Sequence, residues 1–283
     1  MALKRVCCMF YFIAFLWWSQ WNGVFAYGAE CRAATTSSRR RQLLERVSQV
    51  TASTFLLNQP SFALSPEEAE KAYDTYASTY NDLDGGQAAS ALGIETARAM
   101  LISQARGDVL EIGAGTGLNL DKYAADRITS LTLVDISPGM LREAEAKLAE
   151  AKILKSVPVK FIQADATSDL VRRFGTQSFD TVVDTFSLCV FGNEGTKRSL
   201  NEMRQVVKST GRVLLLENSR STNPLLGLYQ DGTANVAAAV GGKGCVYNQD
   251  VGRLILESGM KIMKEEDYAV GLFRSYVCEA RST

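Results

Sequence analysis

Residues 109–117 read Val-Leu-Glu-Ile-Gly-Ala-Gly-Thr-Gly, an apolar run that carries one carboxylate and ends in three alternate glycines. Glycine is needed where a tight strand-to-helix turn drives φ above zero, or where a ligand must approach the backbone closer than a Cβ permits. A dinucleotide fingerprint, G-x-G-x-x-G, requires glycine at 118; that position is Leu118, and the third glycine falls one place early at Gly117. Glu111 points the same way, because a carboxylate facing the turn repels a pyrophosphate and suits an ammonium. The turn therefore suits S-adenosylmethionine, with Glu111, Gly113, Ala114, Gly115 and Gly117 as cofactor-binding candidates.

Further acids recur at matching places. Leu131–Asp135 is a second apolar run, its acid 18 residues past Gly117 and after a short expected helix; such an acid accepts ribose hydroxyls. Ser137 and Pro138 then read as an N-cap and first helical position, with Met140, Leu141, Ala144, Leu148 and Ala151 along one face. Val159–Gln163 is a third strand, followed by Asp165, which can accept from an exocyclic amine. Phe179–Asp184 and Gly211–Glu217 are a fourth and fifth, with a helix carrying Leu200, Met203 and Val207 between them. Alternating strands and helices predict a parallel sheet covered on both faces, with its ligand beyond the carboxyl ends of the strands.

With these motifs in place the chain, over residues 68 to 280, resembles the class I S-adenosylmethionine-dependent methyltransferases, and within them the type 11 domain shared with UbiE-like quinone methyltransferases. Phe179-Asp-Thr-Val-Val-Asp-Thr-Phe-Ser-Leu-Cys189 and Leu214-Leu-Leu-Glu-Asn218 also look like organellar membrane-associated methyltransferase-like proteins and bacterial phospholipid N-methyltransferases. The resemblance implies a Rossmann-like, seven-stranded, mostly parallel sheet with an antiparallel last strand. By matching position it implies Glu111, Gly113 and Gly115 at the methionine, Asp135 at the ribose, and Ile136, Asp165 and Ala166 at the adenine. Asp184 and Thr185 are then expected where methyl meets acceptor.

Composition narrows the chemistry. There is no histidine, which excludes histidine bases, Ser-His-Asp hydrolysis and histidine-held metals. No metal site is expected. Residues 1–60 carry seven Lys or Arg against two Glu, a charge of +5 that the rest of the neutral chain balances with −5. No basic stripe marks a nucleic-acid partner. Cys189, Cys245 and Cys278 lie too far apart in sequence for a zinc pattern or an even disulfide framework, and read as small buried hydrophobes.

Three divisions are expected. Residues 1–29 have signal-peptide anatomy, with thirteen uncharged residues from Val6 to Trp18 against the roughly 20 that span a bilayer; a signal anchor is the competing reading. Residues 30–64 form a Ser-, Thr- and Arg-rich transit-like segment, competing with a merely disordered basic tail. Together they predict an organelle reached by the secretory route, a plastid first, with mitochondrion or endoplasmic reticulum membrane as alternatives. The catalytic domain is residues 65–283. It opens with a capping box, Ser65-Pro-Glu-Glu68, on a helix to about Asn81 that presents Tyr73, Tyr76 and Tyr80 on one face. Tyr73 and Tyr80 join Asp184 as candidate bases, the alternative being aromatic packing. A second helix runs from Gln87 to Ala105. Residues 218–248, mostly small and apolar, read either as a substrate lid or as a helix packed on the sheet; a lid predicts a hydrophobic acceptor such as a quinone or lipid, and peripheral contact with a membrane. A catalytically silent cofactor-binding scaffold and a nicotinamide oxidoreductase are the rival functions.

Overall fold

The structure, a computed structural model, describes residues 63–81, 92–150, 154–240 and 244–280. The signal-peptide segment and all of the transit-like segment except residues 63–64 lie outside the described residues, as do residues 87–91 of the expected second helix. The described residues belong to one compact unit, Ser61–Thr283.

Seven strands form a single sheet in the order β3-β2-β1-β4-β5-β7-β6: β1 Gly107–Ile112, β2 Ile128–Asp135, β3 Val159–Gln163, β4 Phe179–Thr185, β5 Val207–Asn218, β6 Met260–Tyr268 and β7 Phe273–Ala280. The first five pair in parallel, and β7 runs antiparallel between β5 and β6. This is the predicted Rossmann-like topology. Alternation along the strands splits the core. Leu110, Ile112, Val134, Val182 and Leu215 pack one face with Leu188, Leu200 and Met203. Val109, Leu131, Leu133, Val183 and Leu214 pack the other with Leu101 and Ile102. Such period-two burial on both faces is what a parallel sheet between helical layers requires.

The helices are α1 Pro66–Tyr76, α2 Ile94–Ile102, α3 Pro138–Glu150, α4 Leu170–Phe174, α5 Leu188–Val206, α6 Pro224–Val240 and α7 Val251–Glu257. The capping box is made: Ser65 Oγ accepts from the Glu68 amide, and Glu68 accepts from the Ser65 amide. Ser137 caps α3 as expected, accepting from the Met140 amide at 3.1 Å.

Three expectations change. No α-helix follows the glycines; the chain crosses to β2 through turns and one 3-10 turn, Leu120–Lys122. A dinucleotide cradle lays a pyrophosphate on a helix N-terminus, and that helix is missing here. Helix α2 begins at Ile94, since Gly93 with φ +76° is its left-handed N-cap. Helix α5, bent at Gly192, ends at Val206, so Val207, expected on it, opens β5 instead.

Register sets the site. Ile112 pairs with Val134 on one side and Asp184 on the other, so Gly113, Asp135 and Thr185 emerge at one level of the carboxyl edge.

Candidate cofactor cleft

A cleft of about 870 Å³, measured out to its open mouth, lies along that edge. Of the sequence candidates, Tyr73, Tyr80, Gly113, Gly115, Asp135, Ile136, Asp165, Ala166 and Thr185 line it.

The glycine turn is left-handed throughout: φ is +55° at Gly113, +54° at Gly115 and +73° at Gly117. Only two of the three glycines face the cleft. A Cβ on Gly113 would lie 2.4 Å from Ser187 Cβ, while one on Gly115 would meet nothing closer than 3.9 Å, which leaves the backbone open to a ligand. Asp135 holds the turn, accepting from the Gly115 amide at 2.8 Å and the Ser137 amide at 2.9 Å. Burial raises its carboxyl above the usual range, against the backbone amides that favour the charged form. Asp165 accepts from the Thr167 amide and hydroxyl at 2.7 and 2.9 Å.

Four candidates sit elsewhere. Gly117 makes room for packing, since a Cβ there would lie 2.6 Å from Leu120 and 3.2 Å from Ala144. Ala114 is buried in the core, its amide bonded to the Val134 carbonyl. Glu111 lies beneath the turn, accepting from Asn119 Nδ2 at 2.9 Å and Tyr123 OH at 2.5 Å; burial pushes it up to about 7, against those two hydrogen bonds and Arg98. Asp184, expected beside the acceptor, is fully buried. It accepts from Ser187 Oγ, and Glu217 on β5 accepts from the Ser187 and Leu188 amides at 3.0 and 3.3 Å. Asp184 Oδ2 and Glu217 Oε2 are buried with no other partner. Neighbouring buried carboxyls do not readily ionise together, and Asp184 adds to the rise of the Glu217 carboxyl. Both are raised, Asp184 to about 7, chiefly by burial. Ser187 itself lines the cleft, so the pair meets the cleft through one hydroxyl.

Residues the sequence did not single out complete the site. Arg98 of α2 is buried and donates to Asn119 at 3.0 Å and Thr185 at 2.8 Å, with its guanidinium 5.4 Å from the centre of the Phe186 ring. Phe186 has φ +63°, a costly conformation for a bulky side chain and one that gathers at functional sites. Nothing local in the sequence marks Arg98, because its partners lie 21 and 87 residues away.

Helix α1 straps the cleft. Asp74 Oδ1 accepts from the Gly139 amide at the start of α3, Glu70 accepts from Gln163 at the end of β3, and Asn81 accepts from Thr116 in the glycine turn. The rings of Tyr73 and Tyr80 stand 6.3 Å apart. Helix α6, the expected lid, contributes nothing to the lining. Its Leu226, Ala234 and Ala238 are buried, and Gln230 ties it to Ser219 and Ser221.

Residues 109–211 match the family model described as a methyltransferase domain. The mitochondrial methyltransferase OMS1 of Saccharomyces cerevisiae is 30% identical over 186 residues, 62% of this chain and 38% of that protein. The ubiquinone/menaquinone biosynthesis C-methyltransferase UbiE of Bordetella parapertussis is 30% identical over 169 residues, 59% of this chain and 61% of that protein. The match thus spans less than two thirds of either relative. A solved S-adenosylmethionine-dependent methyltransferase of Leishmania major shares the fold, with a TM-score of 0.55 at 18% identity, over 79% of this chain and 88% of that one. Residues 109–211 thus carry a methyltransferase domain, on a fold shared with S-adenosylmethionine-dependent methyltransferases. S-adenosylmethionine is the cofactor that family and fold imply, and the open Gly113–Gly115 backbone with Asp135 beside it fits that group.

Proposed function

We propose that the chain methylates a small hydrophobic acceptor of the quinone or lipid class. The observation that carries this reading is the two-sided lining of the cleft. Gly113, Gly115, Asp135 and Asp165 make a polar end, and Leu64, Ala69, Tyr73, Val190 and Phe191 make an apolar wall. In this assignment Gly113 and Gly115 pass the methionine part, Asp135 holds the ribose, and Ile136, Asp165 and Ala166 hold the adenine. Bound there, S-adenosylmethionine supplies a methyl group already activated on a cationic sulfur.

The chain's own residues position and deprotonate. Strap α1 and the apolar wall exclude water and orient the acceptor, and alignment of a reacting pair is worth up to roughly 7–11 kcal/mol. Ser187 Oγ takes the acceptor's proton as it passes its own to Asp184, so the buried acid pair acts through a hydroxyl. Tyr73 and Tyr80 are positioning residues over the acceptor. The Ser-, Thr- and Arg-rich leader and the mitochondrial relative support an organellar location.

A radiolabelled-methyl assay on organelle lipid extract tests the reading; label is expected in an organic-soluble product. A chain that binds S-adenosylmethionine in calorimetry but labels nothing is a silent scaffold. Binding of NADH in its place refutes the cofactor as well. Fusion of residues 1–64 to a fluorescent protein distinguishes mitochondrion from plastid.

A further inference from the structure

Two thiols with no part in the chemistry above stand together at the apolar wall. Cys189, in the first turn of α5, and Cys245, 56 residues later in the segment that follows α6, bring their sulfurs to 2.8 Å. The long separation in sequence concealed this pair. It is held in place from several sides. The Val246 amide donates to the Cys189 carbonyl at 2.8 Å, which registers the two backbones. Asn218 Nδ2 lies 3.5 Å from each sulfur. A Cβ on Gly244 would lie 2.6 Å from Leu64, so the segment carrying Cys245 is pressed against the wall of the cleft. Ala69, Val190, Leu64, Tyr73 and Phe191 surround the thiols, and all five line the cleft.

We propose that Cys189 and Cys245 form a site of reversible oxidation, a dithiol that a low-molecular-weight disulfide converts to an intramolecular disulfide, fixing the apolar wall of the cleft. A bond between them needs only a small approach of the sulfurs, to about 2.05 Å. The two thiols have different roles. Cys245 is half-buried and Cys189 buried, so the small disulfide meets Cys245 first. The Cys245 thiolate attacks one sulfur of R–S–S–R and expels RS⁻, leaving a mixed disulfide. The Cys189 sulfur then attacks that of Cys245, loses its proton and expels the second RS⁻. In sum two protein thiols lose two electrons and two protons, and R–S–S–R becomes two RSH. The neighbouring Cys245 thiol and burial both hold Cys189 in its protonated form, which suits a resolving group and not an attacking one. The Asn218 amide stabilises the thiolate as charge develops. Once closed, the bond ties the segment after α6 to the start of α5, and with it Leu64, Val190 and Phe191.

The test uses the full chain, reduced and then equilibrated in mixtures of oxidised and reduced glutathione, quenched by alkylation and mapped by peptide mass spectrometry. The expected result is one peptide pair joined through Cys189 and Cys245, formed progressively as oxidised glutathione rises and reversed by excess reduced glutathione, with Cys278 still alkylatable after unfolding. Hydrogen exchange at residues 189–191 and 244–246 is expected to slow at least several-fold in the linked form. A glutathione adduct that stops on Cys245, a linkage to Cys278, or no linkage at the highest oxidant ratio overturns the site. Unchanged exchange in the linked form overturns the fixing of the wall.

Discussion

Asp74 of α1 reaches the first turn of α3, where its Oδ1 accepts from the Gly139 amide at 2.6 Å and from Ser137 Oγ at 3.2 Å. An acidic side chain at a helix start satisfies free amides and meets the positive end of the helix dipole. Gly139 is compelled by this contact, since a Cβ there would lie 2.4 Å from Asp74 Oδ1 and 3.2 Å from Ala77. With the tie from Asn81, five residues past α1, to Thr116, this contact holds the C-terminal end of the strap down. Asp74→Ala is expected to lower hydrogen-exchange protection over residues 66–81 and to weaken S-adenosylmethionine binding by about 1 kcal/mol, near the lower end for a hydrogen bond to a charged group because the side chain is 40% exposed. Unchanged protection would mean that α1 is held by its apolar face alone.

Asp135 serves the turn and the ligand together in this assignment, because the residue that lines the cleft also accepts from the Gly115 amide. Asp135→Ala should weaken S-adenosylmethionine binding by roughly 1–3 kcal/mol and lower the urea midpoint as well, since the Gly115 and Ser137 amides lose their acceptor. Calorimetric titration checks the first and equilibrium unfolding the second. Affinity equal to that of the wild type removes the ribose assignment.

Glu111 gives a pH signature. Burial lifts it from 4.5 to about 7, so between those values the native chain retains a proton that the unfolded chain has released. Stability therefore falls as pH rises through that window and levels off above it, by on the order of 3 kcal/mol. Glu111→Gln keeps an oxygen for Tyr123 and removes the titration. The variant should gain on the wild type progressively from pH 4.5 to pH 8 in urea unfolding. A difference that stays flat across that range refutes the assignment of the raised group.

Strands β1, β2, β4 and β5 were legible because each carries an apolar run closed by an acid or glycine, and β3 falls on Val159–Gln163 as read. Capping chemistry located α1 and α3 for the same reason: Ser65 and Ser137 act on residues three places away. The site was only half legible. A strand's last residues alternate between cleft and core, and periodicity in sequence does not reveal that Thr185 and Ser187 face the cleft while Asp184 turns toward Glu217, 33 residues on. The contacts that set its floor, from Arg98 to Thr185 and from Cys189 to Cys245, join residues 87 and 56 apart, beyond any local pattern. Composition alone does not separate the two readings of residues 218–248, since small apolar residues suit a helix packed beside a sheet as well as they suit a lid.

Ser187 places the buried acids in reach of an acceptor, and pH dependence shows whether they are used. Asp184, raised to about 7, can take a proton through Ser187 only when ionised, so kcat/KM should climb with pH and level off above about 7. Asp184→Asn preserves shape and removes the proton-accepting state. It should cost about 100-fold or more in kcat, the scale of a general base, abolish the rising limb and leave S-adenosylmethionine affinity near wild type. Ser187→Ala should lose the same limb, and both variants should recover most on acceptors acidic enough to be ionised already in solution. A purely structural role predicts instead that Asp184→Asn lowers stability and scales activity down equally at every pH and for every acceptor. Rate profiles from pH 5.5 to 9, measured on a graded series of phenolic acceptors, distinguish the two, and a limb that persists in Ser187→Ala would place the base elsewhere.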